Sequence, residues 1–429
     1  MKMQYRNTLL AITLVVLSTQ SLASINITGN SAEVVKLRQN CSGISNCATT
    51  FSELLDWTWN TRQPNAINPL TIDIGPGIFP LIRYVNNEPF PLNLCSNGGH
   101  VSFKGAGQGI TTIGGIGKPY GQAFNIGTKY HSSVGIIDCN KLSFQDMTIS
   151  SDVASGNGVY SVHHGVGWFG GGDSTWTNVS IEASNYAWID TCLSNTGQVP
   201  GNHVWFGSSI KSISATNYYN IGYASTCGNS SFYGGEIFSI KEAAAVTPGT
   251  LVAVAAKGNQ ASINIYGSLI RSIGMPNSIG MGVFSSGNTI ALGQGGIVAM
   301  DGAVVHMHGG IISVLSNSSA NSSLFGVAAS NGGMVHTPDT AFGMRPAGTG
   351  SAIRVINNGA TIHSPFMWPE DSVPPSITSV TGADVFVETD CSSTGCQTTG
   401  DQPHMLIYSE ACGNNGSSPW FDIVTSSCR

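Results

Sequence analysis

The chain has 429 residues, a net charge of −6, 9% charged and 41% hydrophobic residues. Charge this sparse excludes a coiled coil or long helical bundle, whose solvent faces need charged residues at every turn, and leaves no basic footprint for nucleic acid or an anionic membrane. The 54 Gly and 18 Pro stay below the roughly 25–30% that marks low-complexity disorder, so the expectation is a Gly-rich, weakly charged, all-β fold.

The N-terminus reads as a secretory signal. Lys2 and Arg6 are basic, Leu9 to Leu17 is apolar, and Ser21-Leu22-Ala23 is a small-x-small cleavage site. That run is too short to cross a bilayer and no later stretch approaches the roughly twenty apolar residues needed. The expected protein is secreted or periplasmic, cleaved after Ala23, with no membrane span once the signal is removed. Export lets the ten cysteines be read as disulfides, because no C-x-x-C pair suggests zinc. Spacing suggests Cys41–Cys47 and Cys391–Cys396 as tight loops, Cys95–Cys139 and Cys192–Cys227 as links between repeats, and Cys412–Cys428 in the tail.

One amphipathic helix is predicted, beginning at Thr50, where Thr50 and Glu53 fit a capping box and Phe51, Leu54 and Leu55 share a face. Leu70-Thr-Ile-Asp-Ile74 then alternates like a strand until Gly75-Pro76-Gly77 breaks it. From there to about residue 365 the chain is short β-like runs separated by Gly, Asn and Ser.

Those runs repeat. The clearest copies are Val204-Trp-Phe-Gly-Ser-Ser-Ile-Lys-Ser-Ile213, Ser231-Phe-Tyr-Gly-Gly-Glu-Ile-Phe-Ser-Ile240, Asn264-Ile-Tyr-Gly-Ser-Leu-Ile-Arg-Ser-Ile273 and His306-Met-His-Gly-Gly-Ile-Ile-Ser-Val-Leu315. Anchored on one isoleucine, the series is Ile149, Ile181, Ile210, Ile237, Ile270 and Ile312. A fixed motif at such a period marks a solenoid. Intervals near thirty residues suit one coil of three short strands better than a propeller blade, which needs about four strands in 40–45 residues.

The opening coils also carry a family likeness. Gly99-His-Val-Ser-Phe-Lys-Gly-Ala-Gly-Gln-Gly-Ile-Thr-Thr-Ile113, preceded by Thr71-Ile-Asp-Ile-Gly-Pro-Gly-Ile-Phe79, resembles the start of the pectin-lyase-like right-handed parallel β-helix superfamily. The resemblance implies an N-terminal capping helix, a single-stranded solenoid and a flank that handles acidic polysaccharide. The organisation expected is a signal over 1–23, an N-terminal cap region over 24–69, a right-handed parallel β-helix over 70–365 and a Cys-rich C-terminal cap or appendage over 366–429. The catalytic patterns of the family are mostly missing. There is no run of adjacent Asp and no Gly-His-Gly; Gln145-Asp146 lacks a following Thr-Leu, and Arg345-Pro346 has the wrong spacing for an Arg-x-Pro pattern. No cofactor is predicted; calcium is left open, with no motif for it seen.

Strand alternation assigns faces. With the anchor Ile inward, the residues after it form an outward column of Ser150, Glu182, Lys211, Phe238, Arg271 and Ser313, and those before it a column containing Ser209 and Glu236. Glu182, Lys211, Glu236 and Arg271 are therefore the catalytic candidates. A uronate lyase needs cations against the substrate carboxylate and a base for the adjacent proton; Lys211 and Arg271 suit the first task and His163 or His164 the second. A glycosidase needs two carboxyl groups, for which Glu182 and Glu236 are available. The competing reading is a ladder of surface ion pairs, Glu182 with Lys211 and Glu236 with Arg271. The Gly-rich stretch around Trp168 and Phe169, together with Trp188, Asp190 and Trp205, is expected to supply exposed rings and an acid for sugar binding. His306 and His308 share a face, but with only Asp301 near them in sequence they read as a surface pair. The function expected is an exported β-helix acting on or binding extracellular polysaccharide, as a pectate- or alginate-type lyase or related glycosidase. The alternative is a non-catalytic, adhesin-like or structural carbohydrate-binding β-helix.

Overall fold

The computed structural model describes residues 26–27, 31–80, 82–85, 88–91, 99–115, 124–127, 141–151, 165–169, 171–183, 186–191, 200–214, 219–241, 250–274, 294–316, 324–338, 340–345, 350–355, 361–367, 384–390, 404–408, 420–422 and 427–428. His163, His164 and the signal segment lie outside them. Within them each regular coil contributes three strands, for instance Asn202–Phe206, Ser209–Ser214 and Tyr219–Ser225. The next coil repeats the set as Gly228–Tyr233, Glu236–Lys241 and Thr250–Lys257, and each strand pairs in parallel with its predecessor. In these regular coils two strands join one long sheet and the third joins a second. The chain is an all-β parallel β-helix.

The anchor isoleucines stack as the alternation argument requires. Ile149, Ile181, Ile210, Ile237, Ile270 and Ile312 are consecutive register partners, and each is no more than 1% exposed. Burying each such side chain is worth about 1.5–3 kcal/mol. A second inward column is aromatic: Phe103, Phe144, Trp176, Trp205 and Phe232. Their rings stack at 5.0, 4.0, 4.8 and 5.4 Å between centroids. Parallel in-register strands bring like rings to the spacing at which offset stacking is favourable.

The N-terminal end is closed by the helix Phe51–Trp57. Thr50 is its N-cap, accepting from the Glu53 amide at 3.4 Å, and Phe51, Leu54 and Leu55 are buried. Those side chains join the same core as Val35, Leu37 and Leu70. Cys41–Cys47 closes its loop as expected from spacing, and Cys227 is also disulfide-bonded. Each of the other expected pairs includes a cysteine outside the described residues. At the C-terminal end, Thr361–Met367 pairs in parallel with Asp384–Asp390. The chain then turns antiparallel through His404–Tyr408, Trp420–Asp422 and Ser427–Cys428, covering an edge that would otherwise invite another strand.

The bend between the first two strands of a coil sets where the outer side chains point. Its first residue is left-handed in coil after coil: Asp146, Asn178, Gly207, Gly234, Gly267 and Gly309 all have φ between 52 and 67°. Gly, Asn and Asp are the residues that enter this region at least cost. The next residue is more constrained at Gly235, where φ is 83° and an added Cβ would run into the Ser208 carbonyl oxygen of the preceding coil. Gly235→Ala is therefore expected to destabilise the fold by about 1–3 kcal/mol, read as a lower denaturant midpoint. Gly207→Asn, at a left-handed position with nothing within 4 Å of the new Cβ, is expected to cost well under 1 kcal/mol. Equal midpoints for the two variants would contradict the close approach.

Candidate functional site

The outward charged columns exist in the expected register. Ser150, Glu182, Lys211, Phe238, Arg271 and Ser313 are successive partners, and Ser209 pairs with Glu236. The ion pairing differs from expectation. Lys211 Nζ reaches Glu236 Oε1 at 3.0 Å, diagonally across coils, instead of pairing with Glu182. Ser209 Oγ also donates to Glu236 at 2.8 Å, while Ser180 Oγ donates to Glu182 at 3.3 Å. The buried ring of Phe238 occupies the column between the two cations. Lys211 Nζ lies 5.7 Å and the Arg271 guanidinium 5.5 Å from the ring centroid. Both cations keep their attraction to its face. Arg271 makes no ion pair among the described residues, so it is the cation of this group available to an anionic ligand. The half-exposed Lys211–Glu236 pair itself contributes at most about 1 kcal/mol.

The rings expected to grip sugar lie inside the molecule. Trp168, Trp188 and Trp205 are at most 1% exposed, and a ring with no accessible face cannot stack on a ligand. The coil interior is wide enough for large rings from two walls. Trp188 meets Trp205 edge-on at 4.9 Å and Trp176 at 5.3 Å. Trp168 packs against Trp188 and His203. Asp190 is likewise turned inward, in register with Trp168 and Ser225. Its Oδ1 accepts from Ser225 Oγ at 2.7 Å and from the amides of Thr226 and Cys227 at 3.1 and 3.2 Å. Burial dominates over these bonds and raises the carboxyl to about 7. His203, buried beside the same tryptophans, is lowered to about 3 by desolvation. Neither reaches the surface, so Trp168, Trp188, Trp205 and Asp190 are core residues and not ligand contacts. Phe169 lies on the strand Val166–Phe169.

What faces solvent is the residue next to each inward side chain of that column. Phe206 follows Trp205, Tyr233 follows Phe232, Tyr266 follows Ile265 and His308 follows Met307. These four are register partners on successive coils. Phe206, Tyr233 and Tyr266 are 42, 45 and 37% exposed. Adjacent centroids are 5.2, 5.1 and 5.5 Å apart, with planes within 14°. The result is an open ladder of near-parallel rings along the solenoid axis. The charged columns lie just across the Gly207-type bend. A ladder of this form presents a row of apolar ring edges and faces with hydroxyls at its middle rungs, suited to an extended ligand lying across the coils.

No family model matches the chain, and no curated protein does. Among solved structures it is similar to the tailspike protein gp49 from Pseudomonas phage LKA1, at 13% identity and a TM-score of 0.34. That match covers 74% of this chain and 51% of the tailspike, so the chain spans about half the tailspike's length. The A-module of the Azotobacter vinelandii mannuronan C-5 epimerase AlgE6 is 14% identical with a TM-score of 0.32, over 75% of this chain and 86% of the module. Tailspike protein 3 of bacteriophage CBA120 is 12% identical with a TM-score of 0.25, over 89% and 66% of the two chains. Likeness at this level assigns neither ligand nor activity.

The outer ladder had a signal in the sequence. Every clear repeat carries an aromatic or His immediately before its bend glycine: Phe206-Gly207, Tyr233-Gly234, Tyr266-Gly267 and His308-Gly309. Aligning on isoleucine drew attention only to that residue's neighbours. The same column of register brings His336 beside His306, a neighbour that sequence distance concealed. Among the described residues no group of three or more His, Cys, Asp or Glu is gathered to hold a metal ion.

Proposed function

We propose that this protein is an exported β-helix that binds an extracellular polysaccharide lengthwise along the Phe206–Tyr233–Tyr266 ladder. The observation that carries the reading is the ladder itself: three large rings, exposed and stacked in register, on a surface where most apolar side chains are turned inward. An exposed apolar stripe rimmed by polar residues marks an interaction site. A rigid row of planar groups suits a chain of rings better than a folded partner, which would require a broader patch. Export rests on the leader-like segment ending at Ala23, and the pectin-lyase-like resemblance of the opening coils agrees with the same role.

A second reading adds catalysis, favoured by the cluster of Glu182, Lys211, Glu236 and Arg271 across the bend from the ladder. In a lyase, Arg271 would neutralise a uronate carboxylate, with His163 or His164 as the base; in a glycosidase, Glu182 and Glu236 would be the carboxyl pair. The binding reading needs none of these groups to react.

Incubation with pectate, alginate and neutral polysaccharides separates the two. Retention that falls about three- to tenfold in Tyr233→Ala, without new unsaturated or reducing ends, is the expected result for a binding protein. Product that disappears in Arg271→Ala or Glu236→Gln would make it an enzyme. No retention and no product across the panel would sink the polysaccharide reading.

A further inference from the structure

The outer ladder does not end in a neutral ring. His308 continues it, stacked on Tyr266 with centroids 5.5 Å apart and planes within 9°. Beside His308 on the same face stands His306, in register with His336 on the next coil. The Nδ1 atoms of His306 and His336 are 3.3 Å apart. The His336 ring is edge-on to both neighbours, with centroids 5.4 Å from His306 and 6.1 Å from His308. A row of uncharged rings therefore passes into a group of three imidazoles, with His336 against both His306 and His308.

We propose that His306, His308 and His336 form a carboxylate-binding subsite at this end of the ladder, which takes a uronate unit of the polysaccharide in mildly acidic medium. The proposal rests on the polysaccharide reading above and adds to it the ligand's charge and the residues that recognise it. Imidazole is the side chain whose ordinary titration lies nearest neutrality. A neighbouring positive charge opposes the protonation of an imidazole, and burial adds to the cost. His306 displays both effects: burial first, and the His308 charge second, hold it below the usual histidine range. A carboxylate seated among the rings offsets that repulsion. Proton uptake and anion binding then strengthen each other by the same factor.

Among the described residues no acid is a register partner of the cluster. On the preceding coil the cluster's register partners are Asn264 and Tyr266. On the following coils they are His336 itself and, beyond it, His363. Across the bend, the strand Ile311–Ser316 places Ile311 and Ser313 in the outward columns, where Ser313 is the register partner of Arg271 on the coil before. Of the two acids near in sequence, Asp339 lies outside the described residues, and Asp301 is engaged elsewhere, by Lys257 Nζ at 3.5 Å and Asn331 Nδ2 at 2.6 Å.

The test is isothermal titration of the full chain with sodium polygalacturonate and with a neutral galactomannan, at about pH 5 and about pH 8. Polygalacturonate is expected to bind about tenfold more tightly at the lower pH, with galactomannan unchanged. Replacing all three histidines (His306→Gln, His308→Gln, His336→Gln) should remove the pH difference and leave the weaker, high-pH affinity. Repeating the wild-type titration in buffers of different ionisation enthalpy reads proton uptake directly, independent of whether the triple variant folds. Polygalacturonate binding that is indifferent to pH and takes up no proton would overturn the subsite while leaving the polysaccharide reading intact. Absence of binding to any polysaccharide at either pH would instead overturn that reading, and the subsite with it.

Discussion

Stability should be level between about pH 4 and pH 6.5 and fall on either side, with Asp190 and His203 responsible for opposing slopes. The Asp190 carboxyl moves from 3.8 in the unfolded chain to about 7 in the fold. Between those values the unfolded chain has released a proton that the folded chain keeps, so stability drops as pH rises. His203 moves the other way, from 6.5 to about 3. Between those values the unfolded chain holds a proton that the folded chain refuses, so stability climbs as pH rises. Each slope is about 1.4 kcal/mol per pH unit, and they cancel where the windows overlap. Each arm alone is worth on the order of 4 kcal/mol. Asp190→Asn, which retains an oxygen for Ser225, Thr226 and Cys227, should expose the His203 arm: stability rising to about pH 6.5 and then flat. His203→Gln should expose the other: flat to about pH 4, then falling to about pH 7. Denaturant midpoints taken across pH read both arms, and variants whose profiles merely parallel the wild type would remove these two residues as the cause.

Neighbouring aromatic residues should differ sharply in what they do. Trp205→Ala removes a fully buried ring that stacks on Trp176 and Phe232 and meets Trp188 edge-on. Such a deletion costs about 3–5 kcal/mol. Phe206→Ala removes a ring that is 42% exposed and touches mainly Tyr233, so its cost should be no more than about 1 kcal/mol. Polysaccharide retention should invert the order, falling for Phe206→Ala and holding for any Trp205 variant that folds. A conservative Trp205→Phe supplies that folded comparison. Retention lost in Trp205→Phe and kept in Phe206→Ala would reverse the assignment of faces. A solenoid unfolds less cooperatively than a small globular domain, so the midpoint of the same optical signal should be compared across variants.

Much of the scaffold was legible because its rules are local. The isoleucine anchors repeat at a spacing that only a stacked coil explains, and period-two alternation placed Glu182, Lys211 and Arg271 on an outward column. Thr50 and Glu53 announced the capping helix. Two things were hidden for a physical reason. Glycine around Trp168 looked like a surface loop, yet a wide coil interior accepts rings from opposite walls, and sequence carries no measure of that width. Naming Trp205 instead of Phe206 displaced the expected ligand surface by one residue, and on a strand one residue is the whole difference between inside and outside. The Lys211–Glu236 diagonal was concealed in another way, since register fixes which columns adjoin but not the rotamer that a long cation adopts.

The outer ladder has a further property that comes from the main chain. Its rungs are spaced by inter-strand hydrogen bonding, near 4.8 Å in any parallel sheet, and the observed ring separations of 5.1 to 5.5 Å follow that rise. The surface therefore works as a ruler whose graduations no side-chain substitution can move. Exchanging a tyrosine for a histidine or a phenylalanine alters what is read at one mark while the pitch persists. A change in ligand preference can thus proceed one rung at a time, without rebuilding the scaffold that holds the others.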